Sequence, residues 1–196
     1  MGRIEMKGSA IPVLRRSSIL RTVATEVKAC QLCPLARQRT NAVPGEGPYN
    51  ARIMLVGEAP GREEDLSGRP FVGRAGRLLN SVLESIGISR ENVFITNIVK
   101  CRPPKNRRPT KREMDKCREA YLQRQIDVIG PRLVVLLGRT AAQALLGAES
   151  LKRVRGRAVR RGRVEYLCTY HPAAVLRNPR RRRTFSKDLK ELRKAL

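Results

Sequence analysis

The sequence lacks any apolar stretch long enough to span a bilayer, and its basic N-terminus lacks the apolar core of a secretion signal. These absences predict an intracellular, cytoplasmic protein without a membrane partner. Acidic residues are also scarce, since 17 Asp and Glu stand against 42 Lys and Arg in 196 residues, for a formal net charge of +25. This excess predicts a polyanionic partner, with nucleic acid as the leading candidate. An arginine-rich surface adapted to heat is the alternative explanation.

The sequence has five cysteines, an odd number that argues against a disulfide framework, as a reducing compartment also does. Cys30 and Cys33 form a Cys-x-x-Cys pair, and Cys101 and Cys117 follow with fifteen residues between them. Four thiolates could therefore converge on one site. The spacing does not choose between a structural zinc ion and an iron-sulfur cluster. Cys168, inside an apolar stretch, is predicted to be a small buried core residue.

Strand and helix patterns alternate along the chain. Short apolar runs rich in β-branched residues predict four buried parallel strands, at 52–57, 93–98, 133–138 and 164–169. The alternation predicts an α/β fold with three layers, in which helices flank a central four-stranded, mostly parallel sheet. The length suits a single domain over residues 1–196, with 1–17 as a poorly ordered N-terminal extension.

Helix signals lie between the predicted strands. An apolar stripe from Leu78 to Ile86 stops at Gly87, a residue typical of helix C-termini. Thr110 and Glu113 form a capping box for a helix that carries Cys117 and continues to about position 129. Further helices are predicted at 18–29, 139–146 and 184–195.

Unusual residues collect where the predicted strands end. The turn Gly-Glu-Ala-Pro-Gly at 57–61 follows the first strand, Asn97 lies at the end of the second, and His171 follows the fourth. Ligands of open α/β sheets bind beyond the carboxyl ends of the strands. We therefore expect an active site at this edge, and His171, the only histidine of the sequence, to lie in it.

Four motifs carry a resemblance to a known family. They are GEAPGREED at 57–65, GRPFVG at 68–73, TNIVKCRPP at 96–104 and HPAAVLR at 171–177. In this order and spacing the sequence resembles the family 4 uracil-DNA glycosylases, which are iron-sulfur enzymes. The likeness extends from about Cys30 to Arg177. It implies a uracil-DNA glycosylase-like fold and an enzyme that must flip uracil out of the helix to reach it.

The resemblance assigns residues to a uracil pocket. Phe71 would stack on the base, where a core aromatic following a turn is the plainer explanation. Asn97 would pair with the uracil edge and reject cytosine, whose hydrogen-bonding pattern is reversed, although a strand-end asparagine also suits a turn. Glu64 would lie near uracil C5 and exclude the methyl group of thymine, unless it is an exposed loop carboxylate. Gly57 and the backbone amides of Glu58 and Ala59 would complete the pocket.

The resemblance also implies how the N-glycosidic bond is hydrolysed. His171 would donate a hydrogen bond to O2 of the departing uracil, in either protonation state. Ala59 occupies the place where better-known glycosylases carry an aspartate that polarises water. Glu58 is the first candidate to orient water or stabilise the sugar cation, and backbone groups with Asn97 are the alternative. Because no histidine follows in the loop after position 73, turnover rather than covalent trapping is expected.

The same resemblance favours a 4Fe-4S cluster on Cys30, Cys33, Cys101 and Cys117, with zinc as the alternative. DNA contacts are expected from the basic, proline-containing loop 102–109 and from the segment after His171, where a side chain could wedge into the base stack. The candidates are Arg102, Lys105, Arg107, Leu176 and Arg177. The run Arg180 to Arg183 is either a phosphate-binding or a solvated helix start.

The sequence thus predicts a monofunctional glycosylase that releases uracil, leaves an abasic site and initiates base excision repair. A non-catalytic iron-sulfur module that binds damaged or single-stranded DNA is the alternative. The expected partners are uracil-containing DNA and downstream repair enzymes or a sliding clamp. A monomer, associated with the nucleoid through DNA, is expected.

Overall fold

The computed structural model describes residues 13–196, with side chains from residue 15 onward. Within this part of the chain the strands form one sheet in the order β2-β1-β3-β5-β4. The strands are β1 Ile53–Gly57, β2 Val93–Asn97, β3 Leu133–Leu137, β4 Ala158–Arg161 and β5 Val164–Thr169. The α/β prediction and its four parallel strands are confirmed.

The strand count is corrected from four to five, because β4 pairs antiparallel with β5 at the edge of the sheet. Its sequence, Ala-Val-Arg-Arg, is mostly exposed. An edge strand with one free side can carry charged residues that a central strand would exclude, so the apolar signal used for the other strands was missing.

Helices cover both faces of the sheet. They are α1 Val13–Ala29, α2 Arg62–Ser67, α3 Arg74–Ser85, α4 Lys111–Cys117, α5 Gln123–Ile129, α6 Arg139–Leu146, α7 Leu151–Val154, α8 Pro172–Arg177 and α9 Arg182–Lys190. A π-helical turn, Arg118–Leu122, joins α4 to α5, so the predicted helix does continue to Ile129. The capping box of Thr110 and Glu113 is formed.

The N-terminal helix begins at Val13, five residues before the predicted start at 18. Residues 13–17 of the expected N-terminal extension are helical, while residues 1–12 of it lie outside the described part of the chain. At the other end, α9 is followed by a 3-10 turn, Glu191–Ala195, within the predicted span 184–195.

Successive side chains of the buried strands point to opposite faces of the sheet, and the helices packed on these two faces form the outer layers. Met54 and Val56 of β1 face a core with α1 and the α4–α5 helix, whereas Ile53 and Leu55 face a second core with α3 and α9. Every residue of β1, β2 and β3 is buried, as expected for parallel strands covered on both faces. Cys168 is fully buried in the first core, as predicted.

The strand register brings the predicted strand ends to one edge of the sheet. Gly57 pairs with Asn97, and Leu137 pairs with Thr169, two residues before His171. Among the described helices, none is both long and apolar enough to cross a membrane.

Candidate active site

A cleft opens at the carboxyl edge of the parallel strands. The cleft has a volume of about 570 Å³ and is open to solvent. Six of the predicted substrate-binding residues line it, namely Glu58, Ala59, Glu64, Phe71, Asn97 and His171. The expectation that these motifs converge at one place is therefore met by the geometry.

Asn97 presents an unpaired acceptor in this cleft. Its side chain is 2% exposed, and its Oδ1 atom has no hydrogen-bond partner among the described residues. Leaving a buried carbonyl oxygen unpaired costs about 1–3 kcal/mol. The protein tolerates this cost at a place where a ligand N–H could supply the missing donor.

Gly57 allows Asn97 and Phe71 to approach each other. A Cβ atom on Gly57 would lie 2.3 Å from Oδ1 of Asn97 and 2.6 Å from Cζ of Phe71. Both distances are shorter than any ordinary van der Waals contact, so a larger residue would displace one of these side chains. The glycine thus shapes the floor of the cleft although it has no side chain to offer.

Phe71 forms an apolar wall of the cleft in a strained conformation. It is 5% exposed, and its φ angle of 53° lies in the left-handed region, which is uncommon for a bulky residue. Such strain costs about 1–3 kcal/mol and persists only where surrounding contacts hold it. The Phe71 ring lies 5.7 Å from the imidazole of His171, centroid to centroid, at an angle of 33°.

His171 is neutral and has a defined tautomer. Its Nδ1 atom accepts a hydrogen bond from the backbone N–H of Ala173 at 3.1 Å, so the ring proton is on Nε2. Burial, together with the positive charge of Arg177, lowers the pKa of His171 to about 4, while the Glu64 carboxylate opposes this shift. The cleft therefore contains a neutral N–H donor at physiological pH.

Glu58 is held by a residue that the sequence analysis missed. Its Oε2 atom accepts a hydrogen bond of 2.5 Å from the hydroxyl of Thr140, the second residue of α6. Thr140 and Arg139 follow the third parallel strand, and both line the cleft. Because ligands bind beyond the carboxyl ends of the parallel strands, the position of these two residues after the third strand could have indicated them. Their segment, Gly-Arg-Thr, matches none of the four motifs, so they were not considered.

Glu64 uses its carboxylate within the protein. Oε1 accepts from the backbone amides of Val72 and Gly73, both at 2.9 Å, and Oε2 accepts from the amide of Gly61 at 3.1 Å. The carboxylate thus ties the turn after β1 to the turn that carries Phe71. Glu64 lines the cleft, and it also shapes the cleft wall.

The four predicted cysteine ligands line one cavity behind Asn97, on the side of the first core. Val27, Leu35, Val99 and Tyr121 supply apolar surface around them. The guanidinium of Arg39 donates to Sγ of Cys101 at 3.0 Å, and the amide of Leu32 donates to Sγ of Cys30 at 3.4 Å. Such N–H donors suit thiolates that are bound to metal.

Without a metal the thiols of Cys101 and Cys117 would be protonated. Burial raises the pKa of Cys117 to about 12, and burial also raises the pKa of Cys101, against the opposing effect of Arg39. A metal centre would supply the positive charge that keeps such buried sulfurs ionised. Among residues 15–196 no three His, Cys, Asp or Glu side chains are placed to hold a metal ion, so the thiols share a cavity without surrounding one point.

Lys100 lies between this cavity and the cleft. Its ammonium group is fully buried and donates to Thr96 Oγ1 at 2.5 Å, to the Asn97 carbonyl at 2.9 Å and to Gln125 Oε1 at 2.7 Å. Burial lowers the pKa of Lys100 to about 8. The network fixes the backbone that carries Asn97.

The predicted DNA contacts occupy different environments. Arg102 bonds to Asn106, and Lys105 lies beside it at the exposed tip of the loop, with a φ angle of 52°. Arg107, by contrast, forms a two-pronged ion pair with Glu113, at 2.9 and 2.7 Å. Its guanidinium therefore stabilises the start of α4 and is less available to phosphate than the prediction assumed.

The segment after His171 forms α8, which ends beside the cleft. Leu176 is 40% exposed there, and Arg177 lines the cleft. Tyr170, which had no predicted role, also lines it. The guanidinium carbons of Arg155 and Arg181 lie 5.1 and 5.0 Å from the centroid of its ring. The surface around the cleft is thus strongly basic.

The sequence is similar to that of a known protein family. A profile of the uracil DNA glycosylase superfamily matches residues 44–195. The chain belongs to this superfamily. It is 50% identical over 173 residues to the type-4 uracil-DNA glycosylase of Pyrobaculum aerophilum, across 83% of this chain and 87% of that protein.

Two further type-4 uracil-DNA glycosylases are similar over most of their length. The one from Archaeoglobus fulgidus is 46% identical over 179 residues, 87% of this chain and 89% of that protein. The one from Thermotoga maritima is 46% identical over 166 residues, 83% and 86% of the two chains. The resemblance to family 4 is confirmed. The superfamily match includes every residue of the cleft and begins after Cys30 and Cys33.

Proposed function

We propose that this chain is a monofunctional uracil-DNA glycosylase that binds a flipped uracil stacked on Phe71, with His171 at the edge of the base, and hydrolyses its N-glycosidic bond. The unpaired Oδ1 of Asn97 is the observation that carries this proposal. A buried acceptor at the floor of a basic cleft requires a ligand that brings an N–H group, and uracil N3–H is such a donor.

Recognition follows from the orientation of the Asn97 amide. Oδ1 accepts from uracil N3–H while the amide nitrogen donates to O4. Cytosine presents an acceptor at N3 and a donor at N4, so it would leave both partners unpaired. Phe71 supplies the flat apolar surface on which the base stacks. Glu64 closes the same wall, near the position of the C5 atom.

The chemical step breaks the bond between C1′ of the sugar and N1 of uracil. The bonding electrons leave with the base, whose negative charge gathers on O2, and the neutral Nε2–H of His171 stabilises this charge. The oxygen of water attacks C1′ and loses a proton, which ends on the departing base or in solvent. Glu58, held by Thr140, lies in the cleft where its carboxylate orients this water or stabilises the sugar cation.

Cys30, Cys33, Cys101 and Cys117 would hold a 4Fe-4S cluster. The donor chemistry supports this, since the four thiols share an apolar cavity and Arg39 and Leu32 donate to two of the sulfurs. Such a cluster supplies a covalent link between the segment after α1 and the loop after Asn97. Purified protein should be brown and contain iron and sulfide. Colourless protein with stoichiometric zinc, isolated without oxygen, would contradict the cluster.

Uracil-containing DNA is the substrate partner. Arg102, Lys105 and Arg177 contact its phosphates, and Leu176 enters the base stack while the target is extruded. We further propose that the protein consists of a single domain of this fold and acts as a monomer. It would work inside the cell, associated with the nucleoid through DNA. Its abasic product must pass to downstream repair enzymes, with or without a sliding clamp.

The direct test incubates the protein with a uracil-containing oligonucleotide and then with alkali, which cleaves abasic sites. Strand breakage above a protein-free control is expected. Its absence, together with retained DNA binding, would favour a non-catalytic DNA-binding module.

Variants of two cleft residues test the assigned roles. His171→Ala should lower the single-turnover rate by about 100- to 1000-fold and leave DNA affinity intact. Asn97→Leu should abolish uracil release, whereas Asn92→Leu, at the exposed opposite end of β2, should not. If His171→Ala lost DNA binding but kept its chemical rate, the role of His171 would be wrong.

A further inference from the structure

The strained turn at Phe71 needs an external support. Its left-handed φ of 53° is not favoured by the side chain, so neighbouring groups must hold the backbone. If Phe71 stacks on the base, as proposed above, its ring position depends on this backbone. The groups that hold the turn therefore affect uracil binding without touching uracil.

Arg90 binds both carbonyl groups of this turn. Its guanidinium donates to the carbonyl of Pro70 at 2.5 Å and to the carbonyl of Phe71 at 3.3 Å. A planar guanidinium carries several donors in a fixed arrangement, so it can hold two neighbouring carbonyls at once. On the other side of the turn, Glu64 accepts from the amides of Val72 and Gly73.

Arg90 is itself held firmly. Glu46 accepts two hydrogen bonds from it, at 2.7 and 3.1 Å, and Oδ1 of Asn80 accepts another at 2.8 Å. Only 19% of the Arg90 side chain is exposed. Gly76 in α3 leaves room for the turn, because a Cβ atom there would lie 1.8 Å from the Phe71 carbonyl oxygen.

Arg90 does not belong to the cleft. It lines a separate depression together with Glu46, Pro48 and Arg69, and it precedes β2 at the end of the strand opposite Asn97. The residue also lies outside the four motifs that carry the family resemblance. Any effect of Arg90 on uracil must therefore pass through the protein.

We propose that Arg90 is a positioning residue for the glycosylase reaction, which fixes the Phe71 ring against the base by holding the carbonyls of Pro70 and Phe71. This inference rests on the proposed function, because it needs Phe71 to contact uracil. Glu46 accepts hydrogen bonds from the same guanidinium and so helps to hold it in place.

A double-mutant cycle tests this proposal in the full-length, cluster-containing protein. Arg90→Met, Phe71→Ala and the double variant are compared in single-turnover uracil release and in inhibition by free uracil. Stacking on an aromatic side chain contributes roughly a 5- to 150-fold effect per base. We expect Arg90→Met to lose about tenfold in kcat/KM, mainly through a higher KM, and to weaken inhibition by uracil by a similar factor.

In the Phe71→Ala background the Arg90→Met change should cost less than about twofold, because its effect acts through the missing ring. Arg90→Lys, which keeps the charge and part of the hydrogen bonding, should give an intermediate loss and covers the case in which Arg90→Met folds poorly. Arg69→Met is the matched control. Arg69 also pairs with Glu46, yet it is 62% exposed and none of its hydrogen bonds reaches the carbonyl groups of the Phe71 turn.

Three outcomes would overturn the proposal. An equal loss from Arg90→Met with and without Phe71 would show a general structural effect. Equal effects of Arg69→Met and Arg90→Met would show that the ion pair alone matters. If Phe71→Ala kept wild-type activity, Phe71 would not contact the base and Arg90 could not act through it. Absence of uracil release by the wild-type protein would instead contradict the proposed function.

Discussion

The sole histidine makes one prediction unusually direct. His171 is the only imidazole in the sequence, so a protein without a histidine tag gives a single histidine signal in a proton NMR titration. Because burial and Arg177 lower its pKa to about 4, we expect this signal to stay constant from pH 8 down to about pH 5. The Nδ1 bond to Ala173 further predicts the Nε2–H tautomer over this range.

The same shift has a consequence for stability. In the unfolded chain the imidazole takes up a proton near pH 6.5, whereas the folded protein delays this uptake to about pH 4. Below pH 6.5 the unfolded state therefore binds more protons, and the folded state loses up to about 1.4 kcal/mol per pH unit. The loss reaches roughly 2 kcal/mol at pH 5 and about 3 kcal/mol at pH 4.

A matched pair of proteins isolates this contribution. His171→Gln removes the titrating group, so acid effects on the carboxylates and the cysteine site are shared with the wild type. In urea unfolding, the stability of the wild type relative to the variant should fall by roughly 2 kcal/mol between pH 7.5 and pH 5. A histidine signal that titrates near pH 6.5, or a stability difference that does not change with pH, would refute the neutral, buried imidazole.

Further predictions concern the floor of the cleft, the buried lysine and the basic loop. Gly57→Ala should lower kcat/KM by about 100-fold or more, because the added methyl displaces a cleft wall; an unchanged rate would contradict the close approach. Lys100→Met leaves three buried oxygens without a donor and should lower the free energy of unfolding by roughly 3 kcal/mol in urea titrations. Arg102→Ala should reduce the slope of log affinity against log salt by about 1, measured with uncleavable DNA. Arg107→Ala should reduce this slope less and should instead lower the urea midpoint of unfolding more than Arg102→Ala does, since it breaks the pair with Glu113; the reverse pattern would refute this division.

The parallel strands were predictable because their burial on both faces demands continuous apolar runs. β4 could not be predicted in this way, because a mostly exposed edge strand of alanine, valine and arginine does not require an apolar run. The early start of α1 was missed for a related reason, since five more residues of helix at the N-terminus carry little apolar pattern.

The candidate site could be predicted where its polar residues directly follow the parallel strands. Asn97 and His171 follow from that rule together with the motifs, whereas Thr140 lies at an equivalent position and carries no motif. Which side chains pair with one another could not be predicted from the sequence. The ion pair of Arg107 with Glu113 depends on the capping box that brings the two together, and the left-handed backbone of Phe71 depends on contacts from Arg90.

The groups assigned to uracil are all held in arrangements that carry a free-energy cost. Asn97 keeps an unpaired buried oxygen, Phe71 keeps a left-handed backbone, and His171 keeps an imidazole that resists protonation. The first two arrangements disfavour the empty folded state at any pH, and the third does so only below about pH 6.5, so contacts elsewhere must offset them. Those contacts are the ones around the cleft: the Lys100 network beneath Asn97 and the Arg90 and Glu64 bonds around Phe71. Since the ligand meets donors and walls that are already in place, little of its binding free energy is spent on ordering them.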